Sequence, residues 1–350
     1  MNLFVGLDVS SEKLDTCFLT DDDDLSILLE KTFPNDLNGA TAIKDQIIKF
    51  TESMIFQKIV IGMESTSLYS FHPATFFQTD TELNQYELVV TVENPFKIKQ
   101  FSRIFDEDKT DRIDAFRIAD YLRLQRYSSS PLKEEKYMAL QRLTRTRYQM
   151  VCQLTEAKQH FLENLTYKCN TLSRELKNGD SPTSVFGAAM IALMTEDYSL
   201  DDFSTMSLDA LAELLQHYGK GRFKSPEKIA EAIKKAVRDS YRLGKLAQES
   251  IDIILACLVK SIQAFQKQIK ILDQAIEDLV VILPEYQCLR SIPGIGPVYA
   301  AGLLAEIGQI ERFEDQAKLA KYAGLTWKVS QSGNFQSERT PLTKTGNRYF

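Results

Sequence analysis

Three apolar stretches crowd into the first 32 residues, and their spacing constrains the fold more than any other feature. Leu3–Val9, Leu14–Thr20 and Leu25–Thr32 each read as strands, with only four residues between one and the next. A parallel crossover needs a dozen residues or more, so these three are expected to pair as an antiparallel hairpin and meander. The four acids Asp21–Asp24 between the second and third stretches read as a solvated turn. From there the pattern alternates. Asp36 to Phe50 has apolar residues at helical spacing (Leu37, Ala40, Ile43, Ile47, Phe50), and Lys58–Met63 is a β-branched strand. Leu68–Gln78 is expected as a helix entered through Ser65, Thr66 and Ser67 as caps. Tyr86–Val92 follows as a strand and Asp111–Leu124 as a helix with the stripe Ile113, Phe116, Ile118, Tyr121 and Leu122. The expectation for residues 1–130 is therefore an α/β unit, a mixed sheet covered by helices.

Pro131 closes that unit. Leu132–Lys177 predicts one long amphipathic helix, broken at Asn178-Gly179-Asp180-Ser181-Pro182. Residues 184–237 predict several shorter helices. Residues 239–283 predict a second long helix carrying an apolar seam from Leu243 to Leu279. Two long helices enclosing a helical insert suggest an antiparallel coiled arm over 131–283, as suited to pairing subunits as to an intramolecular bundle. A third, helical unit is expected over 284–350.

Composition narrows the function classes. No apolar run approaches the ~20 residues of a membrane span; Phe186–Met194 is about the longest. The start Met1-Asn2-Leu3-Phe4 lacks a secretion signal's basic region and cleavage site, so a cytoplasmic setting without membrane contact is expected. Five cysteines, at 17, 152, 169, 257 and 288, form no CxxC pair, which argues against a disulfide frame and a zinc site. The lone histidines at 72, 160 and 217 make no histidine-rich metal cage. A net charge of −6 points away from nucleic acid, but the average misleads. Residues 1–60 hold 11 acids against 5 bases, residues 132–177 hold nine bases against five acids, and residues 220–245 hold 9 bases against 3 acids. Charge segregated in this way lets an acidic chain present a cationic face to phosphate.

Four carboxylates stand out by position. Asp8 lies inside the apolar Val5-Gly6-Leu7-Asp8-Val9, where an unpartnered charge is costly to bury. Glu64 ends the strand Ile59-Val60-Ile61-Gly62-Met63, the end at which α/β sheets place their chemistry. Asp111 and Asp114 are three apart and share one helix face, with Asp108 one turn earlier as a decoy. Singly, each reads as well as a cap or an ordinary charged first turn. Jointly they predict an acidic cluster that needs a cation. All-oxygen donors suit Mg²⁺ or Mn²⁺, and two such ions can activate a nucleophile and stabilise a leaving oxygen at a phosphodiester.

At the other end, Ser291-Ile292-Pro293-Gly294-Ile295-Gly296-Pro297 predicts a turn between two helices, a helix-hairpin-helix in which Gly294 and Gly296 let backbone N–H groups face a phosphate. A plain tight turn is the competing reading, and no strand precedes it to make a dinucleotide fingerprint. Farther on, Ser330 and Ser332 sit in a polar loop, and Lys344 and Arg348 are candidate phosphate contacts or ordinary surface cations.

Together these segments resemble the transposases of the insertion-sequence-110 family, which includes the Piv-type DNA invertases. The matching pieces are Gly6-Leu7-Asp8-Val9-Ser10, Met63-Glu64-Ser65-Thr66, Lys109 to Ala115, Ile292 to Pro297, Tyr322-Ala323-Gly324-Leu325, Gln331-Ser332-Gly333 and Lys344 to Tyr349, in the family's order. The resemblance implies a RuvC-like domain of RNase H fold whose DEDD set is Asp8, Glu64, Asp111 and Asp114. It implies a C-terminal helix-hairpin-helix transposase domain with Ser332 as nucleophile and Ser330 as the fallback. It further implies Mg²⁺ (or Mn²⁺), double-stranded donor and target DNA, a structured noncoding guide RNA from the same element, and a dimer or tetramer. Sequence would then be read by base pairing and the protein would read backbone and shape. The chain ends at Phe350, directly after Gly346-Asn347-Arg348-Tyr349, where the resemblance implies further helices. Two other readings stay open: a junction-resolving nuclease or DNA invertase using the carboxylates, and a nucleic-acid-binding scaffold without catalysis.

Overall fold

A computed structural model describes residues 1–350 except 23–25, 66–67, 104–110, 126, 128–132, 196–197, 328–330, 333–334, 337–339 and 344; of residues 331, 332, 335 and 336 it describes the backbone alone. Contacts group the chain into two compact units, Met1–Glu134 with Gln309–Leu342, and Glu135–Gly308 with Thr343–Phe350. The first break falls between Glu134 and Glu135, and the 284–350 stretch contributes to both units.

The first unit is built on strands β1 (Asn2–Val9), β2 (Lys13–Thr20) and β3 (Ile27–Pro34), helix α1 (Leu37–Ser53), strand β4 (Lys58–Glu64), helix α2 (Phe71–Thr79), strand β5 (Leu88–Glu93) and helices α3 (Pro95–Ser102) and α4 (Asp111–Arg123). The sheet order is β3-β2-β1-β4-β5. As the short spacers require, β1–β2 and β2–β3 pair antiparallel, while β1–β4 and β4–β5, each spanning a helix, pair parallel. Side-chain alternation then sorts the residues onto two faces. Leu3, Val5, Leu7, Ile59, Ile61 and Met63 bury against Ala40, Ile43 and Ile47 of α1 and Ala74 and Phe77 of α2. Phe4, Cys17, Leu19 and Val60 bury against Ile98 of α3 and Ala115, Ile118, Ala119 and Leu122 of α4. Asp36 caps α1, its Oδ1 accepting from Gly39 N at 2.8 Å.

Two details differ from the sequence reading here. Helix α2 begins at Phe71, not Leu68. Begun at Leu68, it would place Pro73 in the helix interior, lacking an N–H and crowding the carbonyl four residues back; begun at Phe71, Pro73 falls in the first turn, where no N–H is needed. Of its expected caps, Thr66 and Ser67 lie outside the described residues, and the Ser65 N–H donates to Glu93 O at 2.8 Å, prolonging the strand pairing. The acidic turn is also more than solvated: Asp21 accepts from Asn2 N at 2.6 Å and Asn2 Nδ2 at 2.7 Å, tying down the start of β1.

The second unit is helical: α5 (Glu135–Lys168), α6 (Leu172–Asn178), α7 (Ala188–Thr195), α8 (Leu200–Thr205), α9 (Leu208–Gly219), α10 (Pro226–Asp239), α11 (Lys245–Val280), α12 (Pro284–Arg290) and α13 (Pro297–Ile307). Helices α5 and α11 run antiparallel. Tyr137 and Leu140 near the start of α5 pack with Ile276 and Val280 near the end of α11. Phe161 and Leu165 pack with Leu255 and Ile262 in a core that α6 to α10 complete. The expected single helix over 132–177 is interrupted at Cys169–Thr171, where Thr171 Oγ1 donates to Ala236 O at 2.9 Å and lies 3.0 Å from Ser240 Oγ. Helix α11 starts at Lys245 instead of 239, because Asp239 still belongs to α10 and residues 240–244 link the two helices. In the remaining part of the first unit, α14 (Gln316–Tyr322) precedes a two-residue ladder, β6 (Gln331–Ser332) with β7 (Phe335–Gln336). Among the described residues no helix is long and apolar enough to cross a membrane.

Candidate active site

The site is assembled by two glycines. Gly6 of β1 and Gly62 of β4 are paired neighbours on the face that α4 covers. A Cβ on Gly6 would overlap the Ala115 carbonyl oxygen and the Ala119 nitrogen, and one on Gly62 would overlap the Leu122 side chain. Without side chains at these positions, α4 lies directly on the two central parallel strands. Two residues on along each strand, on the same face, stand Asp8 and Glu64, one position beyond the Leu7↔Met63 pair. The same docking brings the first turn of α4, with Asp111 and Asp114, to that face. Asp8, Glu64 and Asp114 are half-buried and Asp111 is exposed.

Three more charged residues belong to this face that the sequence reading did not single out. Asp15 is the direct antiparallel partner of Asp8 and is buried; its Oδ1 accepts from Thr32 Oγ1 at 2.5 Å. Glu93 is paired with Glu64, is 1% exposed, and accepts from Thr91 Oγ1 at 2.8 Å and Lys97 Nζ at 3.3 Å. Lys13 Nζ stands 2.6 Å from Asp111 Oδ2 and 3.0 Å from Asp15 Oδ2. Its hydrogen bond to Asp111, then that to Asp15, raises its pKa above the ordinary lysine value. The face thus carries its own ammonium against part of the carboxylate charge. Among the described residues no three acid, histidine or cysteine side chains are grouped so as to hold a metal ion as they stand. Glu93 had a signal in the sequence, an acid closing an apolar strand as Glu64 does; Asp15 and Lys13 emerge only from the β1–β2 register. Cys17, on the same face, is no nucleophile, since burial pushes its thiol up to about 12.

Gly294, Gly296 and Arg348 belong to the second unit. Gly294 adopts φ +93° in the turn between α12 and α13, Gly296 occupies the N-cap position of α13, and both are open to solvent. Arg290 Nη1 closes the turn on Ile295 O at 3.1 Å. Arg348 Nη2 donates to Tyr349 Oη at 2.6 Å, and its guanidinium lies 4.7 Å from that ring centre. The nearby Asn347 Nδ2 donates to buried Glu306, which also takes two bonds of 2.8 Å from Arg145. Ser332 pairs through its backbone with Phe335, its side chain lying outside the described residues together with Ser330, Lys344 and the decoy Asp108. Several cations of the two basic stretches are engaged within the chain: Lys235 with Glu175 at 2.8 Å, Arg238 with Asp239 at 2.8 Å, Lys168 with Asp252 at 2.8 Å, and Arg147 with Asp273.

Comparison with known proteins locates this arrangement. Residues 5–169, which contain all four candidate carboxylates, match a transposase model of the DEDD, IS110 type, and residues 286–350 match the model of the transposase IS116/IS110/IS902 family. The chain belongs to the IS110 family of transposases. The second match holds Gly294, Gly296, Ser332, Lys344 and Arg348. Among curated IS110-family relatives, an insertion element IS116 uncharacterized 44.8 kDa protein of Streptomyces clavuligerus is 25% identical over 230 residues, 65% of this chain and 55% of that protein. An insertion element IS110 uncharacterized 43.6 kDa protein of Streptomyces coelicolor is 35% identical over 100 residues, 28% of this chain and 24% of that protein. The chain thus spans about half and about a quarter of the relatives it matches.

Proposed function

We propose that this chain cuts and rejoins DNA as the transposase of a mobile insertion sequence, on an RNase H-like, RuvC-like sheet whose DEDD set is Asp8, Glu64, Asp111 and Asp114. The observation that carries the reading is the pair Asp8 and Glu64, side by side at the ends of parallel strands under the first turn of α4. The donor chemistry fits a divalent ion: the candidates are carboxylates, hard oxygen ligands of the kind Mg²⁺ and Mn²⁺ take. Asp8 and Glu64 would hold the ion from the sheet and Asp111 and Asp114 from the helix, with Lys13 giving up Asp111 as the ion arrives. Once bound, the ion supplies charge neutralisation at the scissile phosphate.

The chain's own groups do the rest. The Ser332 hydroxyl attacks phosphorus; its Oγ–P bond forms as one P–O bond to the sugar breaks, and the serine proton ends on the departing sugar oxygen. Rejoining runs the exchange backwards, and the covalent intermediate conserves the bond energy, so no nucleotide cofactor is consumed. The open Gly294–Gly296 turn, as a helix-hairpin-helix, offers backbone N–H groups to DNA phosphate, with Lys344 and Arg348 as further contacts. A structured noncoding RNA supplies sequence recognition, and the α5–α11 pair serves as the arm of a dimer or tetramer.

The test is a strand-transfer assay on short duplexes with Asp8→Asn and Ser332→Ala. This reading expects Asp8→Asn to abolish cutting and joining with nucleic-acid binding retained, and Ser332→Ala to abolish joining. Cutting intact in Ser332→Ala supports a junction-resolving nuclease or invertase acting through the carboxylates. Binding without cutting or joining by wild type and both variants alike would leave the non-catalytic scaffold, and unchanged cutting and joining in Asp8→Asn would overturn the DEDD assignment.

A further inference from the structure

At the same end of the sheet, on the face opposite α4, lies a cleft of about 570 Å³. Its size falls within the ~300–1,000 Å³ of small-ligand pockets. Ser11 of the β1–β2 turn, Asn35 ahead of α1, Tyr69 ahead of α2, and His72 and Phe76 of α2 line it. The two loops meeting here are those that leave Asp8 and Glu64. Asn35 joins them, its Nδ2 donating to Ser10 O at 2.7 Å and more distantly to Tyr69 O at 3.5 Å.

The lining selects a class of ligand. Among the described residues it contains no lysine or arginine to pair with a phosphate, and its one carboxylate, Asp36, is engaged in capping α1. Three rings and the exposed Leu37, 70% accessible, offer flat apolar surface, and Tyr69 is 45% accessible. Asn35 Oδ1 accepts from no group among the described residues, so a cleft-lining side chain whose amide is anchored through Nδ2 keeps an acceptor for a ligand. A flat ring bearing N–H donors satisfies both features, and the carboxylates stand at the same end of the sheet. Bases stack on aromatic side chains whatever their identity.

We propose that this cleft takes one unpaired nucleobase of the strand whose backbone passes the carboxylate edge, stacked on Tyr69 and hydrogen-bonded to Asn35. The inference rests on the DNA-processing reading above and adds a base-binding subsite to it. A pocket of this kind would hold the scissile strand in register by a base rather than by its phosphates.

The test uses the full chain and a single-stranded, random-sequence DNA oligonucleotide bearing 5-iodouracil, irradiated and mapped by mass spectrometry. The expected crosslink falls between Leu68 and Thr79. Tyr69→Ala should weaken oligonucleotide binding by about five- to a hundredfold, the loss expected for one base–aromatic stack, and Tyr69→Phe should restore it. Tyr69 is surface-exposed, so neither change threatens folding. Asp8→Asn should crosslink like the wild type. Binding and Asp8-dependent cutting without a crosslink here would overturn the subsite and leave the catalytic reading standing. Absence of any oligonucleotide binding would overturn both. A Tyr69→Ala effect confined to self-association would make the cleft a contact between copies of the chain, and the subsite would fall.

Discussion

Gly6→Ala is the substitution on which the site's geometry makes its sharpest demand. The added methyl meets backbone, the Ala115 carbonyl and the Ala119 nitrogen, and backbone cannot rotate aside. Overpacking a tight contact costs about 1–3 kcal/mol, and a backbone obstacle belongs at the upper end. Alanine returns about 0.5–1 kcal/mol by restricting the unfolded chain. The net is a loss of about 2 kcal/mol, or roughly 4–8 °C in the unfolding midpoint for a unit of this size. At Gly62 the obstacle is the flexible end of Leu122, where the steric cost of about 1 kcal/mol is nearly cancelled by the same unfolded-state gain. The assay is thermal unfolding of both variants, with hydrogen exchange across α4 as a second readout. Gly6→Ala should fall well below Gly62→Ala and should speed exchange in α4. Equal midpoints, or the reverse order, would refute the claim that α4 is seated on β1 by the missing side chain.

Three other outcomes follow from single contacts. Lys168→Met removes a buried ammonium that stands 2.7 Å from Met194 O and 2.8 Å from Asp252 Oδ1; because Asp252 stays partly hydrated, the loss should be about 2–3 kcal/mol in urea unfolding, less than for a fully buried pair, and a second change, Asp252→Leu, should recover part of it. Cys17 is held protonated by burial, its pKa rising from 9.0 to about 12. The native state therefore keeps a proton the unfolded state loses above pH 9, so stability should fall by up to about 1.4 kcal/mol per pH unit from pH 9 towards 12. Unfolding of wild type and Cys17→Ala across that range should show the variant with the shallower decline. Lys13→Met removes the cation that stands between Asp15 and Asp111, and the variant should bind Mn²⁺ more tightly than wild type by calorimetric titration; weaker binding would mean that Lys13 organises the acids instead of competing with an ion.

What the sequence made legible was whatever local spacing dictates. The meander of β1 to β3 follows from loops too short to cross over, and the alternation in β1 and β4 placed Asp8 and Glu64 on strands before any register was known. The break after Lys168 escaped because Cys169-Asn170-Thr171 carries no glycine or proline, while Leu172 and Leu176 continue the apolar rhythm; the interruption is made by Thr171 and Ser240, 69 residues apart in the chain. Asp15 and Lys13 were hidden for a related reason. Nothing local in Lys-Leu-Asp says which face the acid takes, and only the pairing Asp8↔Asp15 sets it beside the site. Helix α3 went unread because eight residues opened by Pro95 carry too little periodicity to stand out from a loop.

Direct binding of Mn²⁺ to the full chain, followed by electron paramagnetic resonance in the absence of DNA, reaches the centre of the account without depending on activity. Wild type should show saturable binding that Asp8→Asn abolishes and that Asp45→Asn, an exposed acid on α1, leaves intact. Equal binding by wild type and Asp8→Asn, with both folded, would contradict the assignment of these acids as one cation-holding set.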